Sequence, residues 1–200
     1  MKNGISMLVC LSLLTACGCS EPAATTPQTA GHHDEHGHDH GHDHDHGGEA
    51  GHIEAPVEPS EAGKQFVLVE APADPLNVIA ARESIKNDEE VVLFGQIGGS
   101  HEPWVEGRAM FTVVDDSLKS CNEIPGDSCP TPWDYCCETP KLKGATALVK
   151  AVDETGEAVK TGAQELLGVR ELTSVIVKGK AQRDDAGNLT VLATGVYVKK

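Results

Sequence analysis

Two stretches of this 200-residue chain carry side chains whose types and spacing could do chemistry. The first holds eight of the ten histidines: His32, His33, His36, His38, His40, His42, His44 and His46, interleaved with Asp, Glu and Gly. Neutral imidazole is the commonest side-chain ligand for borderline transition metals, and a His-rich tract is a compositional signal for them. From His36 to His46 every second residue is His, so an extended backbone would project six imidazoles to one side. The tract has no apolar residue and cannot bury enough surface to offset its ordering entropy, so it is expected to be disordered. The chemistry that follows is loose capture of Zn²⁺, Ni²⁺ or Cu²⁺. Many equivalent arrangements give capacity, disorder limits affinity, and protons displace the metal below a pH of about 6.5.

The second stretch holds Cys121, Cys129, Cys136 and Cys137, spaced Cys-x7-Cys-x6-Cys-Cys among Pro130, Pro132, Trp133, Asp134, Tyr135 and Pro140. Two readings stand open. Four cysteines in an exported chain can form two disulfides that staple a coreless loop, with three possible pairings. They can also form a tetrahedral thiolate site for Zn²⁺, Cu(I) or an iron–sulfur centre. Against the metal, no Cys-x2-Cys or Cys-x4-Cys knuckle is present; against a Cys136–Cys137 bond stands its eight-membered ring. A redox-active thiol pair is a third option, but no neighbouring cation is there to lower a thiol pKa. Pro132-Trp133-Asp134-Tyr135-Cys136-Cys137 is similar to segments of uncharacterised exported bacterial proteins and brings no activity with it. His101 and Glu102, in the turn Gly98 to Trp104, make a further candidate site.

Other chemistry is missing. There is no Gly-rich phosphate loop, no Gly-x-Ser-x-Gly elbow and no His-Glu-x-x-His helix, so neither a catalytic role nor an organic cofactor is expected. The carboxylate pairs Asp115-Asp116 and Asp184-Asp185 fall at turns, where solvated acids are expected.

The elements that must position these residues are mostly strands. Apolar runs at 90–97, 107–115, 145–152, 173–181 and 189–198 read as five strands, the last two joined by a hairpin turn at Asp184-Asp185-Ala186-Gly187-Asn188. A helix is expected from Pro75 to about Ile85 with Asp74 as N-cap, and a helical turn from Glu165 to Val169. Five strands, a helical element between the third and fourth, and Gly95 inside the first resemble the OB-fold over roughly residues 88–199. That implies a mainly β domain at 66–200, a five-stranded barrel with one or two short helices. Its Cys-rich loop, 116–144, joins strands two and three. OB-folds that bind single-stranded nucleic acid use a basic groove and stacking aromatics. Residues 66–200 hold 21 acids against 14 bases, and the chain has only seven Phe, Trp and Tyr residues, so nucleic acid is not an expected partner.

Upstream, residues 17–65 read as a disordered tether rich in His, Asp and Gly. Before it, Lys2, the apolar run Ile5 to Leu14, and Leu14-Thr15-Ala16-Cys17 form a short secretory signal over residues 1–16. Leu-Thr-Ala-Cys resembles the lipobox of bacterial lipoproteins. The resemblance implies cleavage before Cys17 and lipid on that residue, hence a membrane anchor in the cell envelope. Gly18, where inner-membrane lipoproteins often carry Asp, points to the outer membrane facing the periplasm. Together these features describe a membrane-anchored, non-enzymatic lipoprotein that binds divalent transition metal through its His-rich arm. The alternative is a disulfide-stapled OB-like interaction module for an unknown envelope protein, with the histidines as a passive linker.

Overall fold

Alternation of buried and half-exposed residues builds the barrel directly from the sequence pattern. In the computed structural model, which describes residues 57–199, the strand Glu90–Ile97 turns Val91, Leu93 and Ile97 inward. Met110–Val114 contributes Phe111 and Val113, and Thr146–Ala151 contributes Ala147, Val149 and Ala151. Numbered in chain order, the strands are β1 (Leu76–Asn77), β2 (Glu90–Ile97), β3 (Met110–Val114), β4 (Thr146–Ala151), β5 (Ser174–Arg183) and β6 (Leu189–Val198). The sheet order is β1-β2-β3-β4-β6-β5, and β2 closes it by pairing antiparallel with β5 from Glu90↔Lys180 to Gln96↔Ser174. β4 runs parallel to β6, and the other barrel pairings are antiparallel. This is the five-stranded OB-like barrel expected, with β1 as one added strand. Small inward residues such as Ala147, Ala151 and Ala193 share one buried cluster with the larger Phe111, Leu93 and Ile97, which fills the interior with side chains.

The helices depart from expectation in instructive ways. The first, α1, is Val78–Ser84 rather than starting at Pro75, because Leu76 and Asn77 are extended and pair parallel with Leu93 and Phe94. Asp74 is no N-cap; it sits in a left-handed turn (φ 52°). The start of α1 is held instead by Asp115, whose Oδ2 accepts the Ile79 N–H at 2.7 Å while Oδ1 accepts the N–H and hydroxyl of Ser117. Asp115 is 2% exposed, so it is a structural carboxylate and not the solvated turn acid expected. At the other end of α1, Arg183 donates to the carbonyls of Ala81, Arg82 and Ile85; the Ala81 carbonyl also accepts the Ile85 N–H, so the guanidinium reinforces the last turn. A helix not foreseen, α2 (Thr139–Ala145), starts with Pro140 in its first turn and leads into β4. The third, α3 (Ala163–Leu167), falls where a helical turn was expected and ends at Gly168.

Residues 57–65, assigned to the tether by composition, pack on α3: the Ser60 N–H donates to the Glu165 carbonyl, and Gly63 is buried. Cys17 and the eight tract histidines lie outside the described residues. Among the described residues no helix is long and apolar enough to cross a membrane.

Candidate metal centre

The long connection from β3 to α2 folds into three short 3₁₀ turns, Cys121–Glu123, Pro132–Asp134 and Cys136–Glu138, each presenting cysteine or aspartate. The first is fixed by a capping box in which Glu123 accepts the Ser120 N–H and hydroxyl. The second and third are joined by Tyr135 in the left-handed region (φ 56°, ψ 36°), which reverses the chain between Asp134 and Cys136. Tyr135 is 1% exposed, packs with Val114, Leu118 and Ala145, and donates its hydroxyl to Gln96 Oε1 at 2.5 Å. The loop is thus bolted to β2 by one residue.

A second fixing point lies at the β2–β3 turn. The Gly99 N–H donates to the Trp133 carbonyl at 2.7 Å, and a Cβ on Gly98 would stand 2.5 Å from that same oxygen. Only glycine lets the Trp133 backbone come this close. Trp133 Nε1–H in turn donates to the His101 carbonyl.

These supports bring all four cysteines together. Cys121 is buried, Cys129 half-buried, and Cys136 and Cys137 are exposed. The Sγ atoms of Cys121 and Cys136 are 3.4 Å apart, and those of Cys136 and Cys137 4.0 Å. All four are free thiols, well beyond the roughly 2.05 Å of an S–S bond. Of the two open readings, the disulfide staple has no pair at bonding distance, and the contacts that hold the loop here are those of Tyr135, the Gly98-Gly99 turn and the local turns.

Two aspartates join the cluster, and the sequence carried a signal for both. Asp127-Ser128-Cys129 and Asp134-Tyr135-Cys136 share an Asp-x-Cys spacing. In each, the carboxylate accepts the N–H of the cysteine two residues on, at 2.7 Å for Cys129 and 2.9 Å for Cys136. Each carboxylate also faces a thiol from elsewhere in the loop: Cys121 Sγ–H donates to Asp134 Oδ1 at 3.7 Å, and Cys137 Sγ–H to Asp127 Oδ2 at 3.6 Å. Thr131 donates to Asp134 Oδ2 and completes its orientation.

One donor atom from each of Cys121, Cys129, Asp134 and Cys136 lies within 4.8 Å of the others, as do donors from Cys121, Asp127 and Cys137. A tetrahedral ion with metal–sulfur bonds of about 2.3 Å and metal–oxygen bonds of about 2.0 Å sets S···S edges near 3.8 Å and S···O edges near 3.5 Å. Within the groups, Cys121–Cys136 at 3.4 Å and the two S···O separations of 3.6 and 3.7 Å lie within a few tenths of an ångström of these values, so the cluster could hold a metal ion. His101 belongs to neither group; it is exposed, with Nδ1 3.4 Å from Glu102 Oε1.

The two exposed thiols, Cys136 and Cys137, are held toward the protonated form beside a fixed carboxylate. The hydrogen-bonding contact with Cys121 pushes the Cys136 thiol up, with burial adding to it. For Cys137 the contact with Cys136 lowers the pKa, but desolvation and the Asp127 carboxylate outweigh it and leave it raised. For Asp134 burial acts upward, yet the hydrogen bonds from Cys136, Thr131 and the thiols together hold it below the usual carboxylate range. A bound dication would displace the thiol protons and meet a carboxylate already ionised. No protein-family model matches the chain, and no curated protein matches it.

Proposed function

We propose that this chain is an exported, lipid-anchored metal-binding protein, non-enzymatic, with two kinds of metal site on one polypeptide. The His32–His46 arm gathers Zn²⁺, Ni²⁺ or Cu²⁺ loosely, and the Cys/Asp centre of the barrel domain holds metal more tightly. The observation that carries the reading is the convergence of Cys121, Cys129, Asp134 and Cys136 within 4.8 Å. Mixed sulfur and oxygen donors favour Zn²⁺ over Cu(I), since an aspartate oxygen is a harder ligand than Cu(I) selects. The Asx turns and Thr131 supply the outer contacts that fix a ligand's orientation. Leu14-Thr15-Ala16-Cys17 supports lipidation at Cys17 and a place in the cell envelope, and Gly18 supports the outer membrane rather than the inner one. Sharing one chain, the arm raises the supply of ions available to the centre.

Zinc titration by calorimetry of the full chain tests this. Wild type should show a tight class of sites and a weaker, larger class. Deleting residues 32–46 should remove the weak class, and the double change Cys121→Ser, Cys136→Ser should remove the tight one. If neither change alters the isotherm, the reading is wrong.

A further inference from the structure

Six donors crowd this loop, whereas one tetrahedral zinc ion takes four. Cys121, Cys129, Asp134 and Cys136 satisfy one ion, which leaves Asp127 and Cys137 over. These two are not scattered: Cys137 Sγ lies 3.6 Å from Asp127 Oδ2, close to the S···O edge of a tetrahedral ion, and both donors lie within 4.8 Å of Cys121 Sγ. Cys121 is the one residue common to both groups.

Building on the metal-binding reading above, we infer that the loop holds two metal ions bridged by the Cys121 thiolate. The inner ion takes Cys121, Cys129, Asp134 and Cys136. The outer ion takes Cys121, Cys137 and Asp127, with its fourth position left for an exchangeable ligand. A thiolate sulfur has lone pairs enough for two metals, and its charge is then shared between two dications. Cys121 suits the bridge because it is the buried thiol, held by the capped turn that begins at Ser120. The two ions should differ in lability. The inner one is closed by four protein ligands from the docked core of the loop. The outer one hangs on Cys137, which is exposed, and on three protein ligands in all. Such a position suits an ion that is received and passed on.

Cadmium-113 NMR on the full chain decides the matter, with Cys10→Ser, Cys17→Ser and Cys19→Ser leaving only the four loop thiols. Thiolate-bound cadmium resonates apart from cadmium on imidazole, so the His arm does not obscure the result. Two resonances in the thiolate region, split by mutual cadmium–cadmium coupling, are expected at saturation. Cys137→Ser should leave one unsplit resonance, and a limiting amount of chelator should remove the outer ion first. A single thiolate resonance, or two without mutual coupling, overturns the bridged pair while leaving the metal-binding reading intact. No resonance in the thiolate region overturns both.

Discussion

The Sγ atoms of Cys121 and Cys136 stand 3.4 Å apart although the two residues are fifteen positions apart along the chain. That closeness is produced by the left-handed turn at Tyr135 and by the Asx turn of Asp134, which points Cys136 back toward the buried thiol. One consequence is chemical. When the metal-free chain is treated with a mild disulfide-forming oxidant such as diamide, Cys121 and Cys136 should join first, each thiol giving up one proton and one electron to the oxidant, which is reduced to the hydrazine. Peptide mapping checks this: a Cys121–Cys136 cross-link is expected, and prior saturation with zinc should suppress it. A dominant Cys136–Cys137 link would contradict the geometry.

Docking of the loop on the barrel is the next point of leverage. Gly98→Ala places a methyl group 2.5 Å from the Trp133 carbonyl, a backbone atom that cannot move without shifting the Pro132–Asp134 turn. It should cost about 1–3 kcal/mol of stability and weaken zinc binding. Tyr135→Phe deletes only the hydroxyl that reaches Gln96, for about 1 kcal/mol. Urea unfolding alongside zinc affinity measures both effects. Equal affinities in all three proteins would show that docking does not position the centre.

Much of the barrel was legible. Strand β2 coincides with the run at 90–97 and β6 with 189–198, because period-two alternation is enforced when one face is buried. The start of α1 was misread because Leu76 and Asn77 are recruited by a parallel pairing with β2, a tertiary contact that no local pattern announces. In the loop the cysteines were visible but their grouping was not. The chain has no zinc-knuckle spacing and assembles its donors instead through repeated Asp-x-Cys turns. That repeat is present in the sequence, yet it gains meaning only once Tyr135 folds one copy over the other.

Arg183 makes a prediction that lies apart from the site. At the end of β5 it closes the C-terminal turn of α1 through three carbonyls, and it also reaches the Gly187 carbonyl of the hairpin turn. Arg183→Met keeps the aliphatic stem but removes those donors. It should cost about 2 kcal/mol, for loss of charged hydrogen bonds, which corresponds to a fall in Tm of roughly 6 °C. An unchanged Tm would mean that water replaces the guanidinium at no cost.

The hairpin turn is also pH-sensitive. The Asn188 side chain and then its N–H, together with the Ala186 N–H, hold the Asp184 carboxyl below the usual carboxylate range. A folded pKa that is depressed contributes stability above the unfolded value of about 3.9, and that contribution is lost as pH falls through the lower folded value. Asp184→Ala should therefore melt below wild type at neutral pH, and the gap should close as the pH drops under about 4. A gap that stays constant into acid would assign the effect to something other than the ionised carboxylate.

The central claim, that the barrel's loop and not the arm provides the tight site, meets its most direct test in zinc K-edge X-ray absorption. The sample is the full chain carrying one equivalent of zinc. A mixed shell is predicted, with sulfur at about 2.3 Å and oxygen at about 2.0–2.2 Å. A shell of nitrogen and oxygen alone, with imidazole scattering and no sulfur, would place the first ion on the histidines and contradict the account.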